Sequence, residues 1–313
     1  MKKKIAIQMD YIESIDFDYD SSFMVAIEAQ KRGYEIFYYN PKDLFLDGNQ
    51  LKAKGYFLEL SENREKYFNF LTDKIVINLE IFKFVFLRQD PPFNMTYITS
   101  TYLLDCLPRS VIVINNPTAV RNATEKIFPI NFYQFMPKTI ISNDIMELKN
   151  FLDNNNDIVI KPLYGNGGEG IFRVNQKNFD EIINNYNFLD LPIVAQKFIP
   201  EIKYGDRRII LLDGEYVGSV ARIPEEGSIK ANFHAGGSAQ KTDLVFRDEE
   251  IIREVGKELK NKNLFFVGID IIGEYLTEIN VTSPTGIKQI NSLNNIKIES
   301  IFWDKLEEKY KLV

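Results

Sequence analysis

Gly268-Ile269-Asp270-Ile271-Ile272-Gly273-Glu274-Tyr275-Leu276-Thr277-Glu278-Ile279-Asn280 decides how this chain is read. The run is two short apolar strands joined at Gly273, with Asp270 and Glu278 set among β-branched and aliphatic residues. Carboxylates suit strands poorly, and burying them is costly unless a cation or a donor faces them. Glu278 and Asn280 are two apart and share a face of their strand. A three-residue loop over 273–275 puts Asp270 opposite Glu278, whereas a two-residue loop sends the pair to opposite faces. With the longer loop, three oxygen-bearing side chains converge. That is a hard-cation site, suited to Mg²⁺ or Mn²⁺ shared with phosphates. The alternative is an exposed hairpin with solvated acids.

Outside this run, composition sets limits. The chain has 313 residues, 45% hydrophobic, which is ample for a core and more than one domain usually holds. Its 44 acidic and 38 basic residues give a net charge of −6, so nucleic acid is not an expected partner. Cys106 and His234 are the only cysteine and histidine, which excludes a Cys/His zinc site, a Cys-His dyad and a disulfide framework. Any catalysis must run on carboxylates, Lys, Arg, backbone amides or a metal. The basic start Lys2-Lys3-Lys4 resembles the opening of a signal peptide, but the apolar run after it stops at Gln8 and Asp10. Neither signal peptide nor membrane span follows, and a cytoplasmic protein is expected.

Ile5–Met9 reads as a strand, Ser21-Ser22 as helix caps, Gly33 as the helix stop and Tyr34–Tyr39 as the next strand. This β-α-β start predicts an α/β, open parallel-sheet domain that binds ligands beyond its strand ends, near Asp10 and Asp20–Ser22. Phe84–Leu87 is a buried strand run into Arg88-Gln89-Asp90-Pro91-Pro92. An arginine there can grip a substrate carboxylate bidentately, or pair with Asp90. Residues 44–80 carry little. A helix after Ala119 is expected to carry Lys126, and a helix is expected from Ser142. Asp157–Pro162 is a strand ending in Lys161. Gly165-Asn166-Gly167-Gly168-Glu169-Gly170 matches G-x-G-x-x-G, yet Ile171–Val174 continues as strand rather than helix. The loop is therefore read as a glycine-rich hairpin tip folding over phosphates, with a flexible β-turn as the alternative. Counting back from the Asp213-Gly214 turn, Arg207 and Arg222 fall on one face, which favours a bound anion. Residues 224–241 read as a polar lid. Asp248–Lys262 and Ile298–Tyr310 read as helices, with Trp303 assigned to the core.

Together these stretches resemble the ATP-grasp ligases, and specifically the bacterial glutathione synthetases, over nearly the whole chain. The resemblance rests on Met9-Asp10, Asp20-Ser21-Ser22, Glu28–Glu35, Arg88–Phe93, Glu125-Lys126, Lys161-Pro162 with the glycine loop, Ala221–Pro224, Ala235-Gly236-Gly237, and Phe266–Gly273 through Thr277–Thr285. It implies a pre-ATP-grasp α/β domain over 1–120, a central lobe over 121–200, and a lobe with lid and metal site over 201–313. The last two parts would be α+β. ATP would be held by Lys126, Lys161, Gly165, Gly167, Gly168 and Arg208, with Gln196, Lys197, Phe198 and Ile199 along the adenine and Asp206 at the ribose. Asp270, Glu278 and Asn280 would carry Mg²⁺, with Mn²⁺ as the other candidate. Asp20, Ser21, Ser22, Arg88, Asp90, Asn232, Gly236, Gly237, Ser283 and Thr285 would face γ-glutamylcysteine and glycine. Arg222 and Lys161 are the expected catalytic residues, Arg222 stabilising charge at the reacting carbonyl. Gly286 departs from the family pattern, where a larger residue stands. A homotetramer is also implied. Neighbouring expectations are a ligase for D-amino acids or glutamate, or an ATP-binding regulator without turnover.

Overall fold

A computed structural model describes residues 3–165, 167–186, 191–233 and 236–311. Asn166, His234 and Ala235 therefore lie outside the described residues. Three sheets succeed one another along the chain. The first contains β1 (Lys4–Gln8), β2 (Glu35–Tyr39), β3 (Leu44–Asp47), β4 (Gln50–Leu60), β5 (Phe68–Phe70), β6 (Ile75–Asn78), β7 (Phe84–Leu87) and β8 (Ile112–Ile114). Strands β2-β1-β7-β8 are parallel, as the β-α-β reading requires. Phe84 to Leu87 is buried at every position, the pattern of a parallel strand covered on both faces.

The antiparallel extension β3–β6 was not legible, because 44–80 has no sustained alternation. At its centre Gly55 lies so close to β2 that a Cβ would sit 2.1 Å from the Tyr38 carbonyl oxygen. Only glycine fits there.

Helix α1 (Ser21–Lys31) is capped by Asp20, whose carboxylate accepts from Phe23 N at 2.7 Å. The cap is thus one residue earlier than expected, which leaves Ser21 and Ser22 buried in the first turn. After α2 (Met95–Leu104), α3 (Pro117–Asn122) ends before Lys126, which sits in the following turn rather than on a helix. The second sheet is antiparallel, in the order β11-β10-β12-β9, from β9 (Thr139–Ser142), β10 (Asp157–Pro162), β11 (Phe172–Asn175) and β12 (Ile193–Lys197). Helices α4 (Ile145–Asn155) and α5 (Phe179–Asn184) cover it, and Asp144 rather than Ser142 caps α4.

The third sheet comprises β13 (Asp206–Leu212), β14 (Glu215–Ile223), β15 (Ser238–Gln240), β16 (Phe266–Ile272) and β17 (Tyr275–Asn280), ordered β15-β14-β13-β16-β17. Helix α6 (Phe246–Asn261) packs on it, followed by α7 (Ile287–Asn294), which the sequence reading missed, and α8 (Ile298–Lys309). Trp303 is fully buried and donates to Val25 O at 2.8 Å, so α8 closes the chain against the first domain's helix. Among the described residues, no helix is long and apolar enough to cross a membrane.

Candidate active site

The three sheets wall a cleft of ≈ 840 Å³. On its floor, β16 and β17 are joined by a two-residue turn, since Ile272 pairs with Tyr275. The three-residue loop is therefore not there. A register shift beyond Ile271 nevertheless leaves Thr277 as an extra residue, so that Asp270 faces Glu278. The bulge does what the longer loop would have done. It is pinned by the Thr277 hydroxyl, which donates to Asp270 O at 3.0 Å.

Asp270 is buried and surrounded by donors: Arg208 through Nε (2.5 Å) and Nη2 (2.8 Å), Arg222 Nη2 (3.0 Å) and Asn280 Nδ2 (3.2 Å). Burial opposes its charge, but the two guanidiniums outweigh burial and hold the carboxyl well below the usual range. Arg222 in turn grips Asp206 with both arms at 2.6 Å. Glu278 receives Lys161 Nζ at 3.4 Å, and against the cost of burial Lys161 and Lys126 keep it ionised. Lys126 Nζ donates to Glu125 at 3.0 Å and to Gly165 O at 2.7 Å, and Ile279 N donates to Glu125 O at 3.2 Å, which ties the base of the glycine loop to β17. Glu125, to which the sequence reading gave no role, is pushed up to about 7 by burial, with Glu278 adding to the rise. No spacing rule singles out an acid one residue before a lysine.

The arginine pairing needs correcting. Arg222 stands opposite Asp206, and Arg208 lies on the same face. Arg207 points the other way, where both its arms reach the fully buried Asp248 (2.9 and 2.7 Å) and one reaches Gly273 O at 2.6 Å. The cause is an irregularity between Ile210 and Leu211, since a one-residue slip exchanges the two faces of a strand.

At one end of the cleft, β10 and β11 form the hairpin whose tip is the glycine loop. Gly168 has φ +81°, and a Cβ there would lie 2.9 Å from Asn232 Nδ2, so the tip meets the segment 229–233 across the cleft. Gly165 and Gly167 line the same wall, with Gln196, Lys197, Phe198 and Ile199 beneath them. At the opposite end, Arg88 Nε donates to Ser22 Oγ at 2.9 Å and Nη2 to Pro284 O at 3.1 Å, while the buried Nη1 has no partner. The salt bridge to Asp90 is not made; Asp90 instead accepts from the Ser283 hydroxyl. Ser21, Asp20 and Thr285 complete this end. Phe233 packs on Tyr19 with ring centroids 5.5 Å apart and comes within 3.9 Å of where a Cβ on Gly286 would be. Gly236 and Gly237 stand off the cleft wall. Their amides donate to Phe233 O (3.2 Å) and Asn232 O (3.1 Å), folding the segment so that Asn232 and Phe233 face inward.

Among the described residues, no three Asp, Glu, His or Cys side chains gather as a metal cage. Asp270, Glu278 and the Asn280 amide are instead a partial oxygen set. That chemistry fits a hard divalent ion that completes its shell with phosphate and water oxygens.

Comparison with known proteins gives the family of the chain. Residues 3–121 match the family model of the prokaryotic glutathione synthetase N-terminal domain, and residues 125–295 that of the prokaryotic glutathione synthetase ATP-grasp domain. The glutathione synthetase of Agrobacterium fabrum is 41% identical over 310 residues, covering 98% of this chain and 97% of that one. The glutathione synthetase of Bradyrhizobium diazoefficiens is 43% identical over 312 residues, 99% of each. Among solved structures, the ATP-grasp ligase PsnB complexed with precursor peptide PsnA2 and AMPPNP aligns with a TM-score of 0.63 at 15% identity, over 99% of this chain and 98% of that one. D-cycloserine synthetase DcsG aligns at 0.65 and 12%, over 93% and 94%. Those two share the fold; the sequence relatives say more. The chain belongs to the prokaryotic glutathione synthetase family.

Proposed function

We propose that the cleft joins γ-glutamylcysteine to glycine with ATP as the driving substrate, giving glutathione, ADP and phosphate. One observation carries this reading. Asp270 and Glu278 face each other on a bulged hairpin, in the same cleft as Lys126, Lys161, Arg222 and a glycine-rich loop. Lys126, Lys161, Arg208 and the amides of Gly165, Gly167 and Gly168 hold the phosphates, while Gln196 to Ile199 border the base. Asp206 orients Arg222 and keeps lone pairs for the ribose. A divalent ion, Mg²⁺ or Mn²⁺, would be held by Asp270, Glu278 and Asn280, and would neutralise phosphate charge.

An oxygen of the cysteinyl carboxylate attacks the γ-phosphorus and ADP departs. Glycine's amine then attacks the acyl phosphate carbon, losing a proton as inorganic phosphate leaves. Such chemistry needs positioning and charge neutralisation more than a protein nucleophile, so the scarcity of His and Cys is no obstacle. Arg222, fixed by Asp206 and Asp270, stabilises the charge that develops on the reacting carbonyl. The segment 225–241 keeps water from the acyl phosphate. Residues 1–120, 121–200 and 201–313 act as the three units of the enzyme, a cytoplasmic homotetramer without nucleic-acid or membrane partners. The test is ADP release from Mg-ATP and glycine, with and without γ-glutamylcysteine, and mass detection of the tripeptide. ADP without tripeptide would refute the reading.

A further inference from the structure

Between β1 and α1 the chain makes an irregular turn whose residues before Asp20 have no part in the reaction described so far. Asp16 folds it. Its carbonyl accepts from Tyr19 N at 3.0 Å and Asp20 N at 2.8 Å, and its carboxylate from Asp18 N at 2.9 Å, a use of aspartate common in turns. Asp18 then pegs the turn to two other parts of the molecule. Its carboxylate pairs with Lys288 on α7 at 2.6 Å and with Arg64 beyond β4, and its carbonyl accepts from Gln289 Nε2 at 3.0 Å. Phe17 takes the same two cations on its ring, with Lys288 Nζ 4.6 Å and Arg64 5.6 Å from the centroid. While these contacts face outward, Ser14, Ile15, Asp16 and Tyr19 line the cleft.

Tyr19 is the residue of this turn that reaches across. Its ring meets Phe233 with centroids 5.5 Å apart and planes tilted by 34°. Phe233 also borders Gly286, where α7 begins. It is thus met by the first domain's turn and by the start of α7, the same two elements that Asp18 joins. Ile229, Lys230, Ala231 and Asn232, the residues leading to Phe233, line the cleft as well.

We propose that Tyr19 is a positioning residue for the reaction: it seats Phe233 and so holds residues 229–233 over the cleft while the acyl phosphate waits for glycine. This deepens the proposed function and rests on it, since there the segment 225–241 excludes water. Water that reaches the acyl phosphate attacks its carbonyl carbon. Phosphate leaves, the cysteinyl carboxylate re-forms and a proton is released, so the net change is ATP hydrolysis without tripeptide. The seat at Tyr19 therefore sets how much ATP is lost for each tripeptide made. Tilted rings are held by shape and dispersion, so phenylalanine serves at position 19 as tyrosine does, whereas alanine leaves a gap.

The experiment measures ADP and tripeptide in the same reaction of the full chain with Mg-ATP, γ-glutamylcysteine and glycine near its KM, where water competes best. Wild type should make about one ADP per tripeptide, and Tyr19→Ala at least about three, the excess appearing only when the dipeptide is present. Tyr19→Phe should keep the wild-type ratio. Phe233→Ala approaches the contact from its other side and should uncouple as Tyr19→Ala does. The double variant should be no worse than either single one, because both remove one contact. An unchanged unfolding temperature reports a folded protein in each case. A wild-type ratio in folded Tyr19→Ala, equal uncoupling in Tyr19→Phe, or added uncoupling in the double variant overturns the proposal. Wild-type protein that makes ADP but no tripeptide would instead refute the activity itself, before any variant enters.

Discussion

The two ends of the cleft handle buried charge in opposite ways. At the glycine-loop end the buried acids meet cations: Asp270 has two arginines, Asp206 one, and Glu278 has Lys161 with Lys126 close behind. Asp270 and Glu278 are held below their ordinary pKa values, although burial still raises Asp206 and Glu125 despite their cations. At the Arg88 end Asp20 and Asp10 are raised, and a guanidinium nitrogen goes without an acceptor. The first end is organised before anything binds, so that little rearrangement accompanies the arrival of phosphate charge. The second leaves a buried guanidinium nitrogen and nearby carboxylates without partners of opposite charge among the described residues.

That contrast can be broken most forcefully at Glu278. Lys126 keeps Glu125 as its partner, but the buried Lys161 loses its carboxylate, so Glu278→Ala should fold with stability lowered by about 3 kcal/mol. ADP formation should nevertheless fall by at least about a thousandfold, since the metal strand loses its second carboxylate. Normal turnover of a folded variant would sink the metal assignment. Arg222→Lys is the next largest. Lysine cannot span both Asp206 oxygens while touching Asp270, so kcat should drop by about 100- to 1,000-fold with a smaller change in the ATP KM. An unchanged kcat would show that the cation cluster is only structural.

What was legible in the sequence divides along a related line. The apolar runs with a charged residue at one end (Phe84–Arg88, Asp157–Lys161, Gly268–Asn280) announced their strands and their site residues together. Local irregularities were invisible. Period-2 counting cannot detect an inserted residue, so the bulge between Asp270 and Ile271 and the slip between Ile210 and Leu211 were both missed. In the first case the alignment came out right through a different turn; in the second it put Arg207 on the wrong face. Arg88 and Asp20–Ser22 were singled out by their places at strand ends, whereas Asn232, Ser283 and Thr285 were expected at the substrate only through resemblance to a family, having no periodicity to give them away. Arg207→Ala tests the corrected face. Asp248, fully buried, would lose its one charged partner among the described residues, which should lower stability by about 3 kcal/mol in denaturant titration. ATP and dipeptide KM should stay within about twofold of wild type, because Arg207 is off the cleft wall. A selective rise in the ATP KM would return Arg207 to the phosphate site.

The smallest effect is the sharpest probe of the second end. Asp20 titrates near 6 in the folded chain, above its ordinary value of 3.8, because it is buried without a bound cation. Folded protein therefore binds this proton more tightly than unfolded protein does. The sign follows: its contribution to stability is fully present below pH 3.8 and is lost as the pH rises through about 6. Arg88 and the amides of Ser22 and Phe23 work against that loss, and Asp90 adds to it. In Asp20→Asn the helix cap persists but the titration does not, so denaturant stability measured from pH 4 to 7 should decline less than in wild type. Raised Asp10 leaves a residual slope. If the dipeptide's ammonium binds beside Asp20 it favours the ionised form, so the γ-glutamylcysteine KM of wild type should then climb as the pH falls below about 6, and the glycine KM should not follow. A dipeptide KM that is flat across that window would mean the ammonium lies elsewhere, and the two ends of the cleft would then differ in hydration rather than in the ligand charge they await.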